Sequence, residues 1–294
     1  LYSGMWTPYK SRSIGDMLGR AVVLLDAWEF RRLANIRQTS FLYMVNPASN
    51  NTRLEHSIGA GYLAGEIGQS VGLGEEDVAH LRLAGLSHDL GHSFWSHVGE
   101  DLIKELTGKD HKTITLEKLE RLRDLIEQQQ FDYGLVRSIL DGSHPYSPIV
   151  SGSVISADKL DYLSRDSHHT SGRQGFDIDR LLAFLRFKDG KYAVDHHALD
   201  ALEGTAMAYL RNYIGDYLAE DAMLIGEGML RALFNAIMEQ HIEPDQMVEW
   251  DDTEPMGVIR YSDNHTAQRI YETFFGTRDV RPVRPIVVAQ IKHD

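Results

Sequence analysis

Leu81-Arg82-Leu83-Ala84-Gly85-Leu86-Ser87-His88-Asp89-Leu90-Gly91-His92 is the stretch on which the reading of this chain turns. Its apolar residues (Leu81, Leu83, Ala84, Leu86) mark a helix that would be buried. The polar residues after them carry chemistry. The adjacent His88 and Asp89 offer an imidazole nitrogen and a carboxylate to one divalent cation. Neighbours on a helix point about 100° apart, so the two can grip an ion placed between them. His92 lies four residues after His88, on the same helical face. The pattern predicts a helix from Glu75 to Leu90, with Gly91 as its stop. A lone His-Asp pair is also common as a surface or capping feature, so its company decides.

The chain has 294 residues, enough to bury a sizeable core. Its 43% hydrophobic and 25% charged content are those of an ordinary globular protein. No window reads as a membrane span, and no signal peptide is visible. Cysteine is absent, which excludes disulfides, thiolate catalysis and cysteine zinc sites and fits a cytoplasmic enzyme. A formal charge of −13 with dispersed Lys and Arg disfavours nucleic acid as a partner. A small anion can still bind where a metal and a few cations meet. The fourteen histidines are many for this length and read either as solvated surface residues or as metal and phosphate chemistry.

Taken in order, residues 1–13 read as an irregular lead-in, and Asp26 to Ile36 as a helix capped by Asp26. Asn46-Pro47 and Asn50-Asn51 are turn signals. Thr52 opens a helix running to Gln69, whose small residues (Gly59, Ala60, Gly61, Ala64, Gly65) suit close packing. Shorter helices are expected over 95–107, 112–129, 131–140 and 152–166. Phe184 to Val194 reads as a β-hairpin with an Asp189-Gly190 turn. A long helical pattern runs from His197 to Gln240. Short helices come next around Thr266–Phe275, and then a strand over Ile286–Ile291. The expectation is a mainly α fold with a minor β-hairpin. It is one domain over residues 1–294, with a core over about 20–240 and a C-terminal α/β extension over 241–294.

Three segments carry candidate ligands: Thr52-Arg53-Leu54-Glu55-His56-Ser57-Ile58-Gly59, then His88-Asp89-Leu90-Gly91-His92 with Ser96-His97, then Asp158-Lys159-Leu160-Asp161-Tyr162 with Arg165-Asp166. Two imidazoles and two carboxylates suit Fe, Mn, Zn, Co or Ni. Taken together, with Phe30-Arg31-Arg32-Leu33 and Gln38, these strings resemble the HD-domain metal-dependent phosphohydrolases. Within them the likeness is to the deoxynucleoside triphosphate triphosphohydrolase branch, which holds bacterial dGTPases and a eukaryotic enzyme carrying a SAM domain. The likeness covers roughly residues 20–240.

The resemblance implies an HD-type helical fold and hydrolysis of a nucleoside triphosphate to nucleoside and inorganic triphosphate. It implies metal ligands His56, His88, Asp89 and Asp158, with Mg able to accompany the substrate. Arg53 and Lys159 would hold phosphates, Arg211 would add a third cation, Tyr162 and Asp166 would meet the sugar and phosphate region, and Gln38 the 3′-hydroxyl. His92 and His97 would line the phosphate path. His111 would be the general acid or base, with Glu100 beside it. Homo-oligomers are common in the family. Read without it, Arg53 would pair with Glu55 or Glu66, Lys159 would be solvated, and His111 would simply start a helix.

Three departures mark this chain. Thr39 stands where the eukaryotic member has a leucine under the sugar, which weakens the expected preference for deoxyribose. Gly215 stands where a histidine is expected four residues after Arg211, with Tyr213 or Tyr217 as substitutes. Arg31 and Ala34 replace residues of the eukaryotic allosteric guanine site. The rival readings are an HD-type nucleotide phosphomonoesterase or phosphodiesterase, and a non-catalytic nucleotide-binding regulator. Serine-hydrolase, P-loop and dinucleotide motifs are absent.

Overall fold

The computed structural model describes residues 5–6, 11–153, 155–171 and 175–276. Its architecture is mainly helical. Seven helices of eleven residues or more organise the described residues, labelled here α1 (Arg53–Ser70), α2 (Glu75–Ser87), α3 (His97–Thr107), α4 (His111–Arg121), α5 (Ala157–Ser171), α6 (Leu199–Asn212) and α7 (Glu220–Gln240). Shorter helical turns connect them. The Asp189-Gly190 hairpin is present: Leu185–Lys188 pairs antiparallel with Lys191–Val194, with φ of 52° and 73° at the two turn residues. Asp-Gly tolerates that left-handed turn and so sets the register. A second short pairing joins Met5–Trp6 to Ser11–Arg12, where the sequence suggests only an irregular lead-in. The strand expected over Ile286–Ile291 lies outside the described residues.

Helices α1 and α2 form the spine. Thr52 caps α1, accepting from the Glu55 amide at 3.3 Å while the Glu55 carboxylate accepts from the Thr52 amide at 2.8 Å. Such a box satisfies two orphan donors, and an N-cap is worth about 0.5–2 kcal/mol. The small residues of α1 let α2 approach closely. A Cβ on Gly61 would meet the Arg82 carbonyl at 2.9 Å, and one on Gly85 the Ala60 carbonyl at 2.7 Å. Helix α5 also packs against α1, on the side where Gly59 faces Asp161 and Arg165. The main core joins Leu63, Ile67, Leu83, Leu86, Leu160 and Leu163. A second core lies around α7, where Phe41, Phe94, Trp95, Met229, Leu233 and Ile237 meet Met247, Ile259 and Ala267.

Several boundaries differ from the sequence reading. Helix α2 ends at Ser87, so His88, Asp89 and His92 do not share one helix. The His88 ring turns back to donate to the Gly85 carbonyl at 2.8 Å, and the Leu90 and His92 amides close three-residue turns onto Ser87 and Asp89. These bonds satisfy carbonyls that a longer helix would have used. The helix expected from Asp26 is a four-residue turn, Trp28–Arg31, flanked by 3₁₀ segments, and Asp26 pairs with Arg31 instead of capping. The 112–129 stretch breaks into α4 and Arg123–Gln128. The His197–Gln240 pattern is interrupted by a π-turn over Tyr213–Tyr217, and such turns often mark functional positions.

Candidate metal centre and substrate cavity

His56 comes from α1, His88 and Asp89 from the turns after α2, and Asp158 from the first turn of α5. The fold brings all four together. Nε2 of His56 lies 3.2 Å from Nε2 of His88, 3.3 Å from Asp158 Oδ1 and 3.6 Å from Asp89 Oδ2. Nε2 of His88 lies 3.2 Å from Asp89 Oδ1 and 3.5 Å from Asp158 Oδ1.

The opposite ring nitrogens show what this cluster can hold. His88 Nδ1 faces the Gly85 carbonyl, which can only accept, so that nitrogen carries the proton. His56 Nδ1 faces Asp161 Oδ2 at 2.9 Å, with the same consequence. In the neutral rings both Nε2 atoms are therefore lone pairs, and they point at each other. That contact is repulsive unless positive charge sits between them, so the donor set fits a divalent cation. Electrostatics agree. Burial alone would strip the charge from His56, yet hydrogen bonds to Asp158 and Asp161 and the Asp89 charge raise it to about 10. Burial also opposes the charge on Asp89, but His88 and Arg53 hold it well below the usual carboxylate range. The cluster is a well for positive charge.

The sequence reading assigns Asp161 no role, and the structure gives it one. It is fully buried, and the Arg165 guanidinium donates to its two oxygens at 2.9 and 2.8 Å while His56 donates as well. A carboxylate behind a ligand histidine fixes its tautomer and strengthens it as a donor. Gly59 makes room: a Cβ there would sit 1.8 Å from Asp161 Oδ1. The signal in the sequence is the spacing of Asp158, Asp161 and Arg165, three and then four apart on one helix.

The cluster forms one wall of a cavity of about 1160 Å³. Gln38, Arg53, His92, His97, His111, Tyr162 and Asp166 line it, together with the His88, Asp89 and Asp158 ligands. Arg53 is buried; its Nε donates to Ser96 Oγ at 2.7 Å, and Nη1 bonds Asp89. Among the described residues its Nη2 has no partner, nor do Gln38 Oε1, Thr39 Oγ1 and His92 Nδ1, all of them buried. Buried polar atoms without a partner are costly unless a ligand meets them, and these four belong to residues that line the cavity. Asp166 accepts from Asn51 at 2.9 Å and from Tyr217 at 2.6 Å, and the π-turn carries Tyr217 to that contact.

A second group sits beside the first. The His92 and His111 rings stack at 4.3 Å, and His97 stands edge-on to His92 at 4.8 Å. Glu100 receives a hydrogen bond from His111 Nδ1, another from the His111 amide at 3.2 Å, and one from His97 Nδ1 at 3.0 Å. Partial burial would raise Glu100, but those histidine bonds pull it well below the carboxylate range. His92 is the opposite case: burial, with Arg53 and His111 nearby, keeps it neutral.

Two candidate phosphate cations stand apart. Lys159 Nζ bonds the Ser153 carbonyl and lies 5.2 Å from the Tyr209 ring. Arg211 is exposed, with Nε on the Met207 carbonyl at 3.3 Å. Neither lines the cavity.

Residues 53–166, which span the four candidate ligands, match the HD domain. An uncharacterized protein of Methanocaldococcus jannaschii is 30% identical over 84% of this chain and 53% of its own length. The deoxynucleoside triphosphate triphosphohydrolase SAMHD1 of Gallus gallus is 30% identical over 56% of this chain and 34% of its own length, and that of Homo sapiens 30% over 56% and 33%. The chain thus spans about half or less of the curated relatives it matches. The crystal structure of a hypothetical protein from Aquifex aeolicus superposes with a TM-score of 0.75 at 25% identity, covering 87% of this chain and 71% of that one. Residues 53–166 of this chain thus carry an HD domain, and the chain is similar to the branch that holds the SAMHD1 deoxynucleoside triphosphate triphosphohydrolases.

Proposed function

We propose that this protein is a metal-dependent phosphohydrolase that cleaves (deoxy)nucleoside triphosphates into nucleoside and inorganic triphosphate. The observation that carries the reading is the pair of opposed Nε2 lone pairs, flanked by Asp89 and Asp158, in the wall of a nucleotide-sized cavity. His56, His88, Asp89 and Asp158 would hold a divalent transition metal. When bound, that ion supplies Lewis acidity and lowers the pKa of water.

The remaining steps belong to this chain's own residues. Arg53 Nη2, free to donate into the cavity, takes a phosphate oxygen and offsets charge that grows in the transition state. Lys159 and Arg211 would have to swing from their present partners to add to it. Gln38 takes the 3′-hydroxyl, while Tyr162 and Asp166 border the sugar. Water oxygen adds to the α-phosphorus, the bond from that phosphorus to the 5′-oxygen breaks, and the departing oxygen needs a proton. His111, with Nδ1 tied to Glu100, presents its other nitrogen for that transfer. His92, kept neutral, and His97 shape the path. Thr39 Oγ1 is buried without a partner in the sugar wall and can bond a 2′-hydroxyl, so the preference for deoxyribose is modest.

A homo-oligomer belongs to the same proposal. Met207, Leu210, Ile214, Leu224 and Met238 expose an apolar face on α6, α7 and the turn between them. Among the described residues no helix is long and apolar enough to cross a membrane. Incubating the protein with each dNTP and NTP plus Mn²⁺, and resolving products by ion exchange, tests the reading. Nucleoside with triphosphate is the expected result. Orthophosphate or a monophosphate ester would instead assign a phosphomonoesterase or phosphodiesterase, and no turnover a binding protein.

A further inference from the structure

The backbone between Phe94 and α3 is strained. Trp95 has φ 54°, and Ser96 has φ 52° with ψ −127°. A left-handed φ is an outlier for a residue as bulky as Trp, and the Ser96 pair of angles is one that type II′ turns reserve for glycine. Such geometry persists only when its surroundings over-determine it. Here they do. The Trp95 carbonyl accepts from Ser40 Oγ, and its ring packs on Phe41 at 4.9 Å and on Phe94 at 5.3 Å. Ser96 Oγ donates to the Arg37 carbonyl at 2.6 Å and accepts from Arg53 Nε at 2.7 Å. The turn therefore sets where Arg53 sits, and where α3 starts with His97 and Glu100.

One side chain ties this turn to the segment that leads into Gln38 and Thr39 of the cavity lining, and it comes from far along the chain. Asp252 accepts from the Trp95 amide at 2.7 Å through one oxygen and from the Arg37 amide at 3.0 Å through the other. The Arg37 guanidinium stands 3.6 Å away, and the Asp252 amide donates to the Asn35 carbonyl at 3.3 Å. Asp252 is buried, and it lies outside the 53–166 segment that matches the HD domain. Arg37 directly precedes Gln38 and Thr39.

We infer that Asp252 is a positioning residue: by clamping the Trp95 and Arg37 amides it holds the strained turn and, through Ser96, aims Arg53 at the substrate phosphates. The inference rests on the function proposed above. It makes the C-terminal segment part of the active site's scaffold, with no contact to substrate.

The test uses the full chain loaded with Mn²⁺. Asp252→Ala should lower kcat by about 10²-fold, the size of effect that a displacement of about 1 Å at a reacting centre produces. Metal content should stay at the wild-type level, because His56, His88 and Asp158 do not depend on the turn. Asp252→Asn keeps one acceptor and should return kcat to within about tenfold of wild type, as expected for one lost hydrogen bond. Asp251→Ala is the control: Asp251 bonds Asn35 at 2.8 Å in the same segment and does not touch the turn. It should lower the melting temperature and leave kcat near wild type. Wild-type kcat in Asp252→Ala overturns the inference, as does kcat that falls with melting temperature equally in the Asp251 and Asp252 variants. If Asp252→Ala does not fold, Asp252→Asn decides alone, with lowered kcat at an unchanged melting temperature expected and wild-type kcat overturning the clamp. If wild type releases no triphosphate, the proposed function fails but the clamp is still readable. Calorimetric binding of inorganic triphosphate should be weaker in Asp252→Asn, and equal affinity would refute the clamp.

Discussion

Two groups of histidines and carboxylates stand side by side at this cavity, and they differ in what surrounds them. In the first, His56 and His88 are 1% and 8% exposed, and each ring has its Nδ1 spent on a fixed acceptor. In the second, His97 is 71% exposed, His111 22% and Glu100 18%, and one carboxylate serves both rings. Burial with Nδ1 committed to an acceptor leaves each Nε2 as the atom that a cation would meet. Partial exposure with a shared carboxylate leaves the second nitrogen of each ring open to the cavity side, which is the arrangement the proposed proton transfer needs. Under the proposed function the same residue types divide into a grip and a relay according to what stands behind them.

The sharpest way to break that contrast is to remove a grip residue. Asp89→Ala should lose the metal by elemental analysis and lower kcat by more than about 10³-fold, since several kcal/mol of Lewis-acid stabilisation go with it. Full stoichiometric metal in this variant would end the assignment of the centre. The relay should answer differently. His111→Ala should keep metal and fold and lower kcat by about 10²–10⁴-fold. Glu100→Gln should cost less, because it disturbs only orientation and proton affinity. Wild-type kcat in His111→Ala would shift the proton donor to His97 or His92.

Asp161→Asn probes the support behind the grip. Asn can still accept from His56 but has lost the charge that strengthens it. Metal affinity or activity should fall by about 10–100-fold, read by metal titration against a chelator. An unchanged affinity would reduce Asp161 to an Arg165 partner. The smallest effect is on pH. Glu100 has its folded-state pKa depressed by His111 and His97 from an ordinary 4.5. For a depressed carboxylate the stabilisation is present above the unfolded value and is lost as pH falls through the folded one. The melting-temperature gap between wild type and Glu100→Gln should therefore shrink as pH drops below about 4.5. A gap that does not change there would show that Glu100 is not held by its histidines.

The chain's own strings of residues were enough to indicate a mainly α fold, the start of α1 at Thr52, the close packing of α1 against another helix and the Asp189-Gly190 hairpin. Each of these depends on interactions within a few residues, or on a periodicity that a line of sequence displays. The four ligand candidates were legible because their motif strings resemble a family, and Glu100 because it stood with His97. What the sequence could not display is anything set by distant partners. The end of α2 at Ser87 depends on the His88 ring turning back and on Thr115 reaching the His88 carbonyl at 3.2 Å. The role of Asp161 needed His56 at its side, 105 residues away. Lys159 and Arg211 read as phosphate ligands, yet their positions are set by Ser153 and Met207. The strained Trp95-Ser96 turn contains no glycine to announce it, and Asp252 holds it from 157 residues away. Local propensity is written residue by residue, but tautomers, strain and unsatisfied donors are fixed by whichever groups the tertiary structure brings within about 3 Å, the reach of a hydrogen bond.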